Sequence, residues 1–387
     1  MNVADEKFMR FALRFARRGY GTTSPNPTVG AFLVRGNKII GRGRTAPPGG
    51  PHAEIQALRD AEKHGRDSRG ATLYVTLEPC CTHGRTPPCT DAIIAAGIKR
   101  VVAGATDPNP KHHGKGFAIL KRAGLDVSAG ILRDECARFN EAFHHWVVRR
   151  LPLVTVKAAM TLDGKIATAN GESKWITGEK AREFGMRLRR GSDAILVGIN
   201  TVLADDPSLT VRNKRNVRQP TSDNQNPGLR RIVLDSLART PLTARVVSDG
   251  FTELTTIVVT NRAPRKHIAA LAKRVNVLVA PSIKSTGREA LPVVDLRWLL
   301  RKLGAENVTS LLVEGGGEVN GSFLFGGLAQ RVAFFYAPKI LGGRDSRKGV
   351  AGDGVTQLSN GLKLTDVEWR KLGTDLLLTA RVANQGD

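Results

Sequence analysis

Three of the four cysteines in this 387-residue chain, Cys80, Cys81 and Cys89, fall within ten residues, downstream of His52 and Glu54. A disulfide, a metal site and a nucleophile can each be built from such a set, and each asks for a different fold around it. The opening stretch, "MNVADEKFMRFALRFARRGYG", has no continuous apolar run before a small-residue cleavage site, so it does not read as a secretory signal. Phe8, Met9, Phe11, Ala12, Phe15 and Ala16 instead recur at helical spacing and predict a packed first helix. Asp5 and Glu6 argue against a transit peptide. The expected location is the cytoplasm, where a reducing environment disfavours disulfides.

The order His-x-Glu, Pro-Cys, Cys narrows the choice to a metal. It is the pattern of zinc deaminases that act on nucleobases. One imidazole and two thiolates hold zinc tetrahedrally and leave the fourth position to water. The expected ligands are His52, Cys80 and Cys89. Glu54, two residues from the ligand histidine, is expected to stand beside the water without coordinating the metal and to carry protons. Cys89 immediately precedes a predicted helix, whose N-terminus favours a thiolate. A closed structural site would take Cys81 or His83 as a fourth ligand, and a redox pair would leave the order and spacing unexplained. Cys136 lies in a helical pattern and reads as an inert buried thiol; Cys81 reads as a bystander.

A chain this long calls for two domains. Up to residue 148, helix and strand patterns alternate: a hairpin over 29–40 turned at Gly36-Asn37, helices over 52–65, 90–97, 116–124 and 134–148, and strands over 71–79 and 98–108. This predicts an α/β sandwich with a largely parallel sheet. A seam falls at "RRLP" (149–152), after which the alternation restarts. Strands are expected over 192–199, 230–236, 254–260, 275–280, 308–316 and 331–340, with helices over 178–190, 264–273, 292–303 and 318–328. The predicted domains are 1–148 and 149–387. No apolar run approaches the roughly 18 residues of a membrane span.

The net charge of +24 suggests nucleic acid, but its distribution does not. Up to residue 150 there are 24 Lys and Arg against 13 Asp and Glu, and beyond it 35 against 22. The excess is spread over both halves. With three tyrosines and four tryptophans, stacking platforms for single strands are scarce. Phosphorylated small molecules fit a diffuse positive field as well. No nucleic-acid or membrane partner is expected. A homo-oligomer is expected, of a size the sequence leaves open.

"SPNPTVGA", "GGPHAE", "TLEPCCTHGRTPPC" and "DPNP" (107–110) together resemble the deaminase half of the bifunctional riboflavin-biosynthesis deaminase–reductases. The resemblance implies a cytidine-deaminase-like α/β/α sandwich that deaminates 2,5-diamino-6-(5-phosphoribosylamino)pyrimidin-4(3H)-one. It also implies that Asn26 and Arg85 help to bind that substrate. This chain departs from the family at Thr82, where a histidine is common, and at Thr45, where some members carry one.

In the second half, "VEGGGEVNGSFL" (313–324) ends an apolar strand with glycines and opens a helix, a turn at which backbone amides can approach a phosphate. Alone it is a weak signal. "VKAAMTLDGKIAT", "SKWITG", "VGINTVLADDPSLTVR", "VEGG" and "APKILGG" occur in one order and resemble the reductase half of the same family, whose fold is similar to dihydrofolate reductase. The resemblance implies NADPH reduction of the ribosyl group of the aminouracil. It implies cofactor contacts at Ala159, Ser173, Trp175, Thr201, Asp205, Ser236, Gly316, Gly317, Glu318, Val319, Asn320, Gly321 and Ser322. It implies substrate contacts at Arg189, Leu209, Arg212 and Glu314, the two arginines being suited to gripping phosphate. Lys157, on a predicted strand amid apolar residues, reads as having a polar task. Three rival readings stand: a nucleic-acid-editing deaminase with a basic accessory domain, a zinc-stabilised binding module in which Glu54 has no role, and an enzyme with one inactive half.

Overall fold

The computed structural model describes residues 3–84, 87–211, 228–284 and 292–383. The chain divides into two compact units, with the break between Arg150 and Leu151. No described helix is long and apolar enough to cross a membrane.

The first unit runs α1 (Val3–Ala16), β1 (Gly30–Arg35), β2 (Lys38–Arg44), α2 (Ala53–Lys63), β3 (Thr72–Leu77), α3 (Cys89–Ala95), β4 (Arg100–Ala105), α4 (Lys115–Arg122), β5 (Asp126–Ala129), α5 (Arg133–Phe139) and α6 (Glu141–Arg149). Its sheet has the order β2-β1-β3-β4-β5. The expected parallel arrangement holds for half of it: β3, β4 and β5 are parallel, whereas β1 is antiparallel to both neighbours. The predicted hairpin is the cause, because a tight turn can join only antiparallel strands.

Helices cover both faces. A Cβ on Gly30 would meet Ala12 of α1, and one on Gly41 or Gly43 would meet the backbone of α2. Gly30 pairs with Arg44 and Ala31 with Gly43, so neighbouring register positions turn to α1 and α2 by turns. Buried Asp5 fastens α1 to the sheet by accepting from Tyr74 Oη at 2.8 Å and from Arg100 Nη1 and Nη2 at 2.9 and 2.8 Å.

The single helix expected over 134–148 is two helices, broken at Asn140. The buried Asn140 side chain accepts from Thr28 N at 2.8 Å and donates to Thr28 O at 3.1 Å. Its bonds to a distant loop replace continued winding.

The second unit runs β6 (Leu153–Thr161), β7 (Lys165–Ala167), α7 (Glu179–Arg190), β8 (Ala194–Gly198), α8 (Ile199–Asp205), β9 (Arg230–Leu234), α9 (Arg245–Ser248), β10 (Thr255–Thr260), α10 (Arg265–Ala272), β11 (Asn276–Ala280), β12 (Ser282–Lys284), β13 (Pro292–Val294), α11 (Leu296–Ala305), β14 (Ser310–Val313), α12 (Gly317–Phe325), β15 (Arg331–Ala337), β16 (Arg347–Lys348), β17 (Leu364–Leu372) and β18 (Asp375–Val382). A nine-stranded sheet has the order β11-β10-β9-β8-β14-β6-β15-β18-β17. Strands β11 through β15 in that order pair in parallel, and the C-terminal hairpin β17–β18 completes the edge antiparallel.

Successive residues of β8 enter different cores, Ala194 and Leu196 one of them and Ile195 and Val197 the other. Burial on both faces explains why these strands read as continuous apolar runs. The helix expected from 292 starts at Leu296, capped by Asp295, whose side chain accepts from Trp298 N; residues 292–294 are strand.

Candidate functional site

In the first unit, three chain ends converge. His52 is the N-cap residue of α2, Glu54 lies in its first turn, Cys80 follows β3, and Cys89 opens α3. His52 Nδ1 is 3.4 Å from Cys80 Sγ and 3.3 Å from Cys89 Sγ, and the three ligand atoms lie within 4.8 Å of one another. A tetrahedral zinc with bonds of about 2.0 Å to nitrogen and 2.3 Å to sulfur separates N from S by roughly 3.5 Å. The donor set and its spacing therefore fit zinc. Among the described residues no fourth protein donor joins the cluster. Cys81 Sγ instead lies 3.6 Å from His112 Nδ1.

The electrostatics suit metal binding and proton carriage. Cys89 N donates to Cys80 Sγ at 3.4 Å. Hydrogen bonding to the Cys89 thiol, followed by His52, holds the Cys80 thiol down to about 4. Glu54 is buried; burial first and the Cys80 thiolate second push its carboxyl up to about 7. Cys136 is buried, and burial pushes its thiol up to about 12, in keeping with an inert group.

Sequence reasoning passed over Glu78, which precedes the ligand segment Pro79-Cys80. Its buried carboxylate accepts from Asp107 N at 3.1 Å, Gly114 N at 3.0 Å and Gly116 N at 2.9 Å. One side chain thus holds both ends of the loop after β4 against the end of β3. Nothing in local spacing announces this, because the partners lie 29 to 38 residues away. Asn26 sits half-buried on the loop before β1, its N–H donating to Thr23 O at 2.9 Å. Thr45 is buried, and its hydroxyl accepts from Val29 N at 2.9 Å, which commits it to the loop. Thr82 is exposed. Arg85 and Arg212 lie outside the described residues.

In the second unit, Glu314 follows β14 and gathers two of the other singled-out residues. Its carboxylate accepts from Arg189 Nε at 2.8 Å, Arg189 Nη2 at 3.0 Å and Lys157 Nζ at 3.3 Å. Burial would raise its carboxyl, but the charges of Arg189 and Lys157 overcome this and hold it down to about 2. The fork expected to grip phosphate is therefore closed on Glu314, and Arg189 Nη1 also donates to Thr210 O at 3.1 Å. Lys157 Nζ lies 5.7 Å from the Phe335 ring centroid. Leu209 is buried with φ of 51°, a left-handed conformation that costs about 1–2 kcal/mol outside glycine.

Several of the expected nucleotide contacts also meet. Ser173 Oγ donates to Asp205 Oδ1 at 3.0 Å. Thr201 lies on α8 and Ser236 just beyond β9, both at the C-terminal edge of parallel strands. Ala159 lies on β6, and Trp175 is exposed beneath the Arg182 guanidinium at 4.8 Å. Helix α12 begins without a side-chain cap, and the space over Gly316 is open. Gly317 and Gly321 face elsewhere: a Cβ on either would strike the backbone of Lys348 or Ala351. Asn320 is buried, with Nδ2 donating to Gly349 O at 2.8 Å and Oδ1 unpartnered. Val319 packs over Gly315, while Glu318 and Ser322 are exposed. Uncapped first-turn amides beside an open glycine are the donor set a pyrophosphate takes.

Comparison with known proteins bears on both units. Residues 2–105 match the cytidine and deoxycytidylate deaminase zinc-binding region, and residues 152–378 match the RibD C-terminal domain. The chain is 42% identical to the riboflavin biosynthesis protein RibD of Actinobacillus pleuropneumoniae over 376 residues, 97% of this chain and 95% of that one. It belongs to the RibD family. Solved RibD-family structures agree along its length. Acinetobacter baumannii RibD superposes with a TM-score of 0.83 at 35% identity, covering 98% of this chain and 99% of the other. The diaminohydroxyphosphoribosylaminopyrimidine deaminase/5-amino-6-(5-phosphoribosylamino)uracil reductase of Thermotoga maritima gives 0.80 at 36%, with the same coverage.

This RibD-family chain is thus a bifunctional enzyme with the deaminase and reductase activities of riboflavin biosynthesis. The nucleic-acid-editing alternative is not favoured, since its supposed accessory domain matches the RibD C-terminal domain. The first unit is of a zinc-binding kind, and the second implies a nicotinamide cofactor.

Proposed function

We propose that His52, Cys80 and Cys89 hold one zinc ion and that the first unit hydrolyses 2,5-diamino-6-(5-phosphoribosylamino)pyrimidin-4(3H)-one to the aminouracil and ammonia. The observation that carries this reading is the burial of Glu54 beside the three-donor cluster, with a carboxyl raised to about 7. When bound, zinc supplies a water acidic enough to attack near neutral pH. Glu54 takes one proton from the attacking water and gives it to the ring nitrogen, then passes the second, from the resulting hydroxyl, to the departing amine. Burial keeps bulk water from exchanging with those protons. Asn26 and Arg85 contact the substrate, and the loop held by Glu78 forms a wall beside Cys80.

The second unit reduces the product with NADPH: the anomeric carbon of the open imine gains a hydride, its nitrogen gains a proton, and the ribityl chain results. Glu314, held ionised by Arg189 and Lys157, accepts from the substrate's sugar hydroxyls, with Leu209 and Arg212 completing the substrate contacts. The nucleotide is held by Ala159, Ser173, Trp175, Thr201, Asp205, Ser236 and the turn from Gly316 to Ser322. We further propose that the chain works in the cytoplasm as a homo-oligomer, on phosphorylated pyrimidines rather than nucleic acid.

The test follows ammonia release and NADPH oxidation separately, using zinc-loaded protein and the diaminopyrimidinone ribotide. Ammonia should appear without NADPH, and oxidation should begin only when NADPH is added. Zinc-loaded protein that releases no ammonia would leave the first unit a deaminase in fold alone.

A further inference from the structure

Asp206 and Leu209, which follow α8, both have left-handed backbones, with φ of 40° and 51°. Residues with side chains disfavour that conformation, so it persists only where the surroundings hold it. Three arginines hold this segment. Arg245 fixes its start: its N–H donates to Asp206 Oδ1 at 2.8 Å, and its Nε lies 3.2 Å from Oδ2. Arg231 Nη1 donates to Ser208 O at 2.9 Å, and Arg189 Nη1 to Thr210 O at 3.1 Å. The carbonyls of the residues before and after Leu209 thus each accept from a guanidinium.

Arg245 is exposed, and Arg189 belongs to the Glu314 cluster. Arg231 is neither. It lies on β9 and is fully buried, and Val233, on the same face of that strand, belongs to the core that also buries Leu209. Its Nη1 and Nη2 donate to Asp249 Oδ2 and Oδ1 at 2.7 and 2.8 Å, and its Nε donates to Thr255 Oγ1 at 2.9 Å. Nη2 also donates to Val246 O at 3.2 Å and to Phe251 O at 2.7 Å.

A buried ion pair is a poor way to stabilise a core, because apolar side chains of similar volume serve as well or better. What they cannot do is meet a carbonyl. Val246 O and Phe251 O have second donors, Thr255 Oγ1 at 2.7 Å and Leu254 N at 3.0 Å. The bond to Ser208 O is the one by which Arg231 reaches the segment of Leu209.

We propose that Arg231 is a positioning residue of the reductase: paired with Asp249, it sets the place of Ser208 to Thr210, and through them the grip on the aminouracil substrate. The proposal rests on the reading of Leu209 as a substrate contact and adds what seats that contact. Asp249 orients the fork with both oxygens, which leaves Nη1 its second proton for Ser208 O. A shift of about 1 Å in a positioning segment, caused from outside the site, can cost on the order of 10²-fold in rate.

The test uses the full chain and 5-amino-6-(5-phosphoribosylamino)uracil. Hydrogen exchange is read at the peptide carrying Ser208 to Thr210, with and without that substrate, beside its KM and kcat and the Kd for NADPH. Arg231→Lys keeps the charge beside Asp249 and loses the fork. Arg231→Met with Asp249→Asn removes both charges, so neither is left buried alone, and keeps a side-chain acceptor for Phe251 N. In the double variant the peptide should exchange faster and KM should rise by about tenfold or more, with Arg231→Lys between. The Kd for NADPH should change by less than about twofold, and kcat by less than KM. Ammonia release reports that the first unit is intact. Equal losses in substrate and NADPH binding would make the pair a structural element and overturn the proposal. If substrate slows exchange of the wild-type peptide but KM is unchanged in the double variant, the proposal falls and the contact at Leu209 stands. If substrate leaves that exchange unaltered, the contact falls and the proposal with it.

Discussion

A Cβ on Gly43 would lie 2.0 Å from the carbonyl oxygen of Ala53. Strand β2 and the first turn of α2 are in backbone contact at the one residue that separates His52 from Glu54. The absence of a side chain on a strand therefore sets how deeply His52 and Glu54, the proposed metal ligand and proton carrier, are seated. Gly43→Ala forces the two elements apart, and over-packing of this kind costs about 1–3 kcal/mol. We expect a lower melting temperature and slower ammonia release, with reduction of supplied aminouracil substrate unchanged. Wild-type ammonia release would show that this contact does not place α2.

Glu54→Gln keeps the shape of the side chain and removes its proton transfer. Ammonia release should fall by about 10²- to 10⁴-fold. Zinc per chain, measured by metal analysis, should stay at the wild-type level, because Glu54 is outside the ligand set. Full ammonia release in the variant would remove Glu54 from proton transfer; loss of zinc would make Glu54 a ligand.

Glu314 links acid stability to the proposed reductase site. Its carboxyl is held down to about 2, against an ordinary value of 4.5. The unfolded chain takes up this proton at a higher pH than the folded one. The stabilisation is thus complete above 4.5 and is lost as the pH falls toward 2. Glu314→Gln removes the anion and leaves Arg189 and Lys157 without it, at a cost of about 3–5 kcal/mol. Denaturant melts should show a gap between wild type and variant that is widest near neutrality and narrows in acid. A gap independent of pH would count against an ionised Glu314.

Asn140 is expected to act at a distance. Asn140→Ala breaks both hydrogen bonds to Thr28 and leaves the half-buried Thr28 backbone N–H and C=O short of partners, at about 1–3 kcal/mol. Thr28 lies on the loop that carries Asn26. The KM of the deaminase should therefore rise with zinc content unchanged. An unaltered KM would separate that loop from substrate binding.

The convergence of His52, Cys80 and Cys89 was legible in the sequence because the donors come in a telling order: a histidine at a helix start, a cysteine after a strand, a cysteine at the next helix. The parallel strands were legible through their apolar runs. What escaped depends on partners far along the chain. Asn140 breaks a helix that periodicity continues, because Thr28 is 112 residues away. Strand β17, "LTDVEWRKL", is mostly exposed and charged; its pairing with β18, rather than its composition, makes it a strand. Arg231 is fully buried with Asp249 and several carbonyl groups, in a chain where an arginine ordinarily reads as surface. The Lys157–Glu314–Arg189 cluster spans 157 residues, and only folding makes it one object.

Glu78 gives the loop after β4 a fixed length. A single carboxylate, one residue before Pro79-Cys80, receives amides from the loop's start at Asp107 and from its end at Gly114 and Gly116. An added or deleted residue between them cannot be absorbed locally, since one end would lose its acceptor or drag the chain of Cys80 with it. For anyone grafting tags or recombining segments of this enzyme, the polar tract 108–113 is off limits despite its surface composition, and the turn at Gly373 between β17 and β18 is the safer place to cut.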